Sequence, residues 1–250
     1  LSAKDIAAVL RSRILDGSYP RRSVLPSRRA LSEEFGTSET TITWALRPLR
    51  REGLVSPEQG RGTIVTHMPR ITRDARDRYN ESKRADDRGG FAAEVRRQSM
   101  TPRSETVVRR EVPPARVAEL LGTEPEQEVL VRYREMYADD VLMQIAPSYI
   151  PGDIAFGTQL EDHTQPQGGM LTTMRELGHE EVYADEYLTL ARVPDQDEID
   201  RFGISEDQPV FELFHQAYDN AGRVVEVSWH RGPCSRWAEF IYRVRIKEQD

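Results

Sequence analysis

Residues 37–54, TSETTITWALRPLRREGL, decide how the first third of the chain reads. Ile42, Ala45, Leu46 and Leu49 recur at spacings of three and four, the period of a helix with one buried stripe. The outer face carries Thr40, Thr41, Thr43, Trp44 and Arg47, an unusual row for a helix that meets only water. Pro48 lies ten residues after Ser38 and removes the donor that would reach the Trp44 carbonyl. In a regular helix that costs roughly 3 kcal/mol. The hydroxyl-bearing face precedes it, so a bend at Pro48 leaves that face intact.

Working outward, two more helices precede this one. In SAKDIAAVLRSRILDG, Ser2 and Asp5 form a capping-box pair, Ile6, Val9, Leu10 and Ile14 share a face, and Gly17 stops the helix. LPSRRALSEEFG reads as a short second helix with Ser27 as N-cap and Gly36 as its stop. Thr37 alone separates Gly36 from Ser38, the N-cap of the third helix, which is helix-turn-helix spacing. After Gly53, Leu54–Ser56 and Thr63–Thr66 are strand-like around the turn EQGRG. Three helices and a hairpin make a winged helix over residues 1–68.

The charge distribution divides the chain in the same way. The overall formal charge is −7, yet residues 1–68 carry +4, residues 69–98 carry +3 and residues 99–250 carry −14. A basic module fused to an acidic remainder is the asymmetry of a nucleic-acid reader joined to something else. Residues 69–90, which include RITRDARDRYNESKRADDRGG, are nearly free of large apolar side chains and read as a charged linker.

At 250 residues there is room for two modest domains with real cores. No apolar run approaches the roughly 18 residues of a membrane helix, and no basic start precedes an apolar stretch, so a cytoplasmic protein is expected. The chain opens on Leu1 rather than Met, which fits a native segment ahead of it. Cys234 is the single cysteine, excluding an internal disulfide and reading as a packing residue. The five histidines show no ligand spacing, so neither a metal nor a cofactor is expected.

From Phe91 to the end, strands and helices alternate. SETVVRREV, both halves of QEVLVRYREMYADDVLMQIAPSYI, EYLTLARV, both halves of PVFELFHQAYDNAGRVVEVSWHR and WAEFIYRVRI read as strands, with turns at Asp139-Asp140 and Asn220–Gly222. PPARVAELLG and GGMLTTMRELG read as helices. Hairpins interspersed with helices indicate an α+β domain on an antiparallel sheet over residues 91–250.

In a helix-turn-helix the third helix enters the DNA major groove, its N-terminal residues nearest the bases. Ser38, Thr40, Thr41 and Thr43 then meet phosphates or base edges, and Arg47 meets a phosphate or a guanine. Trp44 packs on the sugar–phosphate wall or the wing, or else is buried within the domain. These residues carry a family resemblance: LPSRRALSEEFGTSETTITWALRPLRREGLV followed by GRGTIV resembles the winged helix of the GntR family of bacterial repressors, over residues 4–66. The resemblance implies that Arg29 contacts DNA, with Arg28 replacing the family's Glu, and that the wing tip Gly60-Arg61-Gly62-Thr63 reaches the minor groove. Glu39 and Thr43 stand where the family often has Arg, which implies an operator unlike the usual one.

Residues 91–246 resemble the effector-binding (UTRA) domain of the HutC subfamily, which is similar in fold to chorismate lyase; FAAEVRRQSMTPRSETVV, ARVAELLG and DNAGRVVEVS are among the matching segments. The resemblance implies a small metabolite held inside this domain that alters DNA affinity. Strand periodicity places Arg132 and Arg134 on one face with Leu130 and Met136, while Val129, Val131 and Tyr133 face the other way. Two guanidiniums on a partly apolar face suit a phosphate or carboxylate; pairing with acidic neighbours is the alternative. The likeness adds Phe91, Glu226 and Ser228 to this effector set, and Gln144 and Ala146 stand where relatives carry a Glu.

The resulting expectation is a DNA-binding transcriptional repressor, a homodimer on an inverted-repeat operator, modulated by a small anionic effector. Two alternatives stay open: a DNA-binding dimer with no effector, and a chorismate-lyase-like enzyme. No acid/base pair or nucleophile motif supports catalysis.

Overall fold

The computed structural model describes residues 1–78, 89–163 and 170–243. Its elements in chain order are α1 (Ala3–Leu15), α2 (Arg28–Phe35), α3 (Glu39–Arg51), β1 (Val55–Glu58), β2 (Gly62–Val65), β3 (Ile71–Asp74) and α4 (Ala75–Arg78). They continue with α5 (Gly90–Arg96), β4 (Pro102–Glu111), α6 (Ala115–Leu121), β5 (Val129–Ala138), β6 (Val141–Ile145), β7 (Ser148–Pro151) and α7 (Gly152–Ala155). The last are α8 (Met170–Glu176), β8 (Tyr183–Arg192), α9 (Gln196–Phe202), β9 (Val210–Tyr218), β10 (Val224–Pro233) and β11 (Trp237–Ile241). They form two compact units: Leu1–Arg70 with Ala191–Val210 and Pro233–Arg236, and the remainder.

In the first unit α1, α2 and α3 start at the expected caps. Ser2 and Asp5 form the capping box, the Ser27 hydroxyl accepts from the Ala30 amide, and the Ser38 hydroxyl accepts from the Thr41 amide. Gly36 ends α2 in the left-handed conformation that lets the N-cap of α3, Ser38, follow two residues later. Ile6, Leu10 and Ile14 of α1, Leu31 of α2, and Ile42, Ala45, Leu46 and Leu49 of α3 close one core with Leu25, Leu54, Val55 and Val65. A bidentate Arg11–Glu52 ion pair ties α1 to the C-cap of α3. α3 runs through Pro48 as one element, and the Glu52 amide still reaches the Pro48 carbonyl. β1 and β2 are antiparallel, joined across Gly60 at φ +78°, which favours glycine. These three helices and the hairpin are the expected winged helix.

The second unit is built on a seven-stranded sheet in the order β4-β5-β6-β10-β9-β8, with β7 pairing to both β10 and β5. β4, β6 and β7 each pair antiparallel with β5, and β10 pairs antiparallel with β6 and β7. Asp139 and Asp140, both at positive φ, make the expected β5–β6 turn. The alternation along β5 is as expected. Val129 and Val131 pack with Val117, Leu120 and Leu121 of α6 on one face, while Leu130 packs with Ile154, Leu160 and Met174 on the other.

The expected charged linker over 69–90 needs correction. Ile71–Asp74 form β3, which pairs parallel with β11, and Ile71, Arg73 and Asp74 are buried. The reason is electrostatic: paired guanidiniums can be buried where lone ones cannot, so a charge-rich stretch is not necessarily solvated. Residues 79–88 of that expected linker, 168–169 of the expected GGM helix and 244–246 of the last strand lie outside the described residues. α5, α9 and the separate strand β7 were not expected. Yet Asp195 and Glu198 form a capping box at the start of α9, a signal present in the sequence.

Candidate functional site

The exposed face of α3 is assembled by its N-cap. Besides accepting from the Thr41 amide, the Ser38 hydroxyl lies 2.9 Å from that of Thr41, so these two hydroxyls serve the helix start first. The Thr43 hydroxyl donates to the Glu39 carbonyl at 3.0 Å, and Thr43 is half-buried. Thr40, Trp44 and Arg47, at i, i+4 and i+7, share one exposed stripe. Trp44 is 56% exposed, which removes the reading in which it is buried within the domain.

The other expected DNA contacts lie on neighbouring elements. Arg28 and Arg29 open α2 and are exposed, with Arg29 Nε 3.0 Å from Glu33 one helical turn on. Arg61 projects at the wing turn, 2.7 Å from Glu58, between Gly60 and Gly62. Thr63 is half-buried, and its carbonyl accepts from the Leu25 amide. Each of the two arginines is thus charge-neutralised by an exposed carboxylate, a pairing easily exchanged for a phosphate because surface ion pairs are worth little.

In the second unit, Arg132 and Arg134 stand on the expected face but have different partners. Arg132 is buried and donates to the carbonyls of Leu160 and Asp162 at 2.5 and 2.6 Å. Arg134 donates to the Ala146 carbonyl at 3.1 Å and to the Ser148 hydroxyl. Burial lowers the pKa of both, and mutual repulsion adds to it, from Arg134 on Arg132 and from Arg78 on Arg134. Gln144 is buried and donates to the Met136 sulfur. Phe91 is buried in α5.

Glu226 and Ser228, also on the expected list, belong to a larger buried polar cluster. Burial, reinforced by the neighbouring carboxylate Glu181, pushes the Glu226 carboxyl up to about 8. Burial opposes a charge on His215, but bonds to Glu181 and Glu186 outweigh it and raise its pKa to about 9. Its Nδ1 lies 3.0 Å from Glu186, whose own pKa is held far below the usual carboxylate range against burial by His215 and Arg73. Ser228 bonds His230 Nε2 at 3.0 Å, and burial among arginines depresses His230 strongly.

Glu181, Glu186 and His215 form part of the wall of an open cleft of about 930 Å³, with Tyr183, Arg175 and Tyr242. Arg132 and Arg134 are not part of that wall. Sequence reasoning missed Arg73, Arg78, Glu94, Glu181, Glu186, His215 and His230. The period-two run Glu226-x-Ser228-x-His230 inside an apolar strand would have pointed to His230. The others come from elements far apart in the chain. Among the described residues no cluster of His, Cys, Asp and Glu could hold a metal ion.

Comparison with known proteins agrees with this architecture. The family model for bacterial regulatory proteins of the gntR family matches residues 2–65, and that for the UTRA domain matches residues 97–237. An HTH-type transcriptional regulator of Rhizobium meliloti (strain 1021) is 27% identical over 234 residues, 93% of this chain and 91% of the relative. The HTH-type transcriptional repressor NagR of Bacillus subtilis (strain 168) is 29% identical over 157 residues, 62% of this chain and 60% of its own. The crystal structure of PhnF from Mycobacterium smegmatis shares the fold, with a TM-score of 0.56 and 21% identity over 96% of this chain and all of that one. The chain therefore belongs to the gntR family as a transcriptional regulator, not an enzyme, with a DNA-binding helix-turn-helix domain and a UTRA ligand-binding domain.

Proposed function

We propose that the protein is a homodimeric repressor of HutC type that acts in the cytoplasm. It reads an inverted-repeat operator through α3 and the wing, and a small anionic metabolite in the UTRA domain changes its operator affinity. The reading domain lies within residues 1–68 and the effector domain runs from 91 onward. The stripe Thr40–Trp44–Arg47 carries this reading. It presents a hydroxyl, an aromatic plate and a guanidinium from a rigid three-helix core, flanked by Arg28 and Arg29 on α2 and by the wing tip Arg61, Gly62 and Thr63. The similarity to a relative named as a repressor supports the direction of regulation. No described helix is long and apolar enough to cross a membrane.

The anionic character of the effector is supported by the repulsion of Arg134 on Arg132 and of Arg78 on Arg134, which a bound phosphate or carboxylate would relieve. A thermal-shift series of sugar phosphates and carboxylic acids on the full chain tests it. A ligand at 100 times its dissociation constant adds about 2.7 kcal/mol. Selection from a random duplex pool is expected to return an inverted repeat, because two-fold proteins match palindromic sites. Sedimentation as a monomer at micromolar concentration, with and without that DNA, contradicts the dimer. A set of anions none of which stabilises the chain favours a dimer without an effector.

A further inference from the structure

β3 begins immediately after Arg70, the last residue of the N-terminal stretch of the first unit. It pairs in parallel with β11, Ile71 against Trp237 and Arg73 against Phe240. Arg73 is 2% exposed, and its guanidinium meets the carboxylate of Glu186 on β8, which also bonds His215. The Tyr242 hydroxyl joins the same group. One short helix later, Arg78 donates to Glu94 of α5 at 2.7 Å, and Glu94 is buried. Gly90 permits this approach: a Cβ there would fall 2.4 Å from Arg78 Cγ and 3.2 Å from its Cα.

Arginine is almost never this deeply buried without a partner, and a buried charge that loses its partner is strongly disfavoured. These ion pairs, the β3–β11 pairing, the Arg97–Asp77 contact and buried Ile71 together hold residues 71–78 on the UTRA domain. Glu186, His215 and Tyr242 also form part of the wall of the open cleft. The same carboxylate therefore faces both the tether and the open cleft.

We propose that Arg73 and Arg78 form an ionic latch that fixes the tether after Arg70 to the UTRA domain, and that Glu186 places this latch under the control of the cleft. A ligand group that donates to Glu186, such as an ammonium, a guanidinium or a hydroxyl, takes the carboxylate on which Arg73 depends. Release of residues 71–78 adds up to about 28 Å of reach. That is comparable to the roughly 34 Å between half-sites one helical turn apart, enough to change how two reading domains are held at an operator. The link to the cleft requires only a donor group in the cleft, apart from the anion assigned to Arg132 and Arg134, and the latch itself requires neither.

Amide hydrogen exchange on the full chain tests both halves and needs neither effector nor operator. Arg73→Gln and Glu186→Gln should each raise exchange across residues 71–78 at least tenfold, with the α1–α3 core unchanged. The double variant should exchange no faster than the worse single, since both remove one interaction. The double variant removes the charges of Arg73 and Glu186 together, and His215 keeps Glu181, so it serves if a single variant fails to fold. Wild-type protection of residues 71–78 in the double variant overturns the latch. For the cleft, Ala184 is exposed on its wall, two residues from Glu186 on the same face of β8. Ala184→Arg supplies a competing guanidinium and should raise exchange across residues 71–78, whereas the neutral Ala184→Met should not. If Ala184→Arg leaves exchange at the wild-type level while Glu186→Gln raises it, control by the cleft is refuted.

Discussion

The guanidinium of Arg47 lies over the Trp44 ring, 4.7 Å from its centroid, on the exposed face of α3. Such a stack is worth about 0.5–1 kcal/mol at an exposed site. It holds Arg47 in one orientation before DNA arrives. Trp44→Ala is expected to weaken operator binding about two- to fivefold, with Trp44→Phe retaining most of the affinity. The melting temperature should barely move, because the indole buries little. Fluorescence anisotropy and a thermal melt on the same samples check this pair of outcomes.

Arg29 and Arg61 are paired with Glu33 and Glu58, which a phosphate would replace. Arg29→Ala and Arg61→Ala should each lower the slope of log affinity against log salt by about one. Glu33→Gln should strengthen binding by freeing Arg29. Thr43→Ala should alter base preference with little change in slope, since it removes a methyl and a hydroxyl but no charge. Gel shifts across a salt series decide the matter: Arg29→Ala as tight as wild type throughout contradicts the α2 assignment.

Arg132 and Arg134 should part company under mutation. Arg132→Ala leaves the carbonyls of Leu160 and Asp162 without their donor, at about 1–3 kcal/mol for each buried unsatisfied group. Its main effect is expected on stability. Arg134→Ala loses a single carbonyl and the Ser148 hydroxyl, and is expected to abolish the effector response while leaving ligand-free DNA binding nearly intact. Thermal melts separate the first effect, and operator titrations with and without the effector the second. A fully responsive Arg134→Ala variant places the effector elsewhere.

Stability should peak near pH 6 and fall toward pH 9. His215 binds its proton up to about 9 in the folded chain against 6.5 ordinarily, and Glu226 up to about 8 against 4.5. The folded state therefore holds more protons than the unfolded one across this range, and stability declines as pH rises. The His215 contribution is complete below about 6.5 and gone above about 9. On the acid side, the depressed Glu186 and His230 work in the opposite sense: their contributions are lost as pH falls below their unfolded values. Melting temperatures from pH 5 to 9.5 test this, with Glu226→Gln expected to flatten the decline below pH 8. A melting temperature that climbs from pH 6 to 9 contradicts the assignment.

The winged helix was legible because its signals are local. Ser2, Ser27 and Ser38 cap helices whose apolar stripes lie within a dozen residues, and Gly36 sets the turn between two of them. The face shared by Leu130, Arg132 and Arg134 followed from the period of a strand in the same way. Trp44 shows the limit of that reading: its helical position was clear, but exposure depends on what packs beside it, and only the structure put it outward.

What the chain determines by itself, then, is where helices and strands start, stop and turn their apolar sides, because caps, glycines and periodicity act over a few covalently adjacent residues. Tertiary structure alone decided which charges are buried together. Arg73 meets Glu186 across 113 positions of sequence, and Glu186 meets His215 across 29 more. Before the fold forms these are ordinary charged residues in polar or apolar stretches. Burial in one low-dielectric cluster is what sets their protonation states and makes a charged stretch into a docked strand, and no local pattern records which partner each will find.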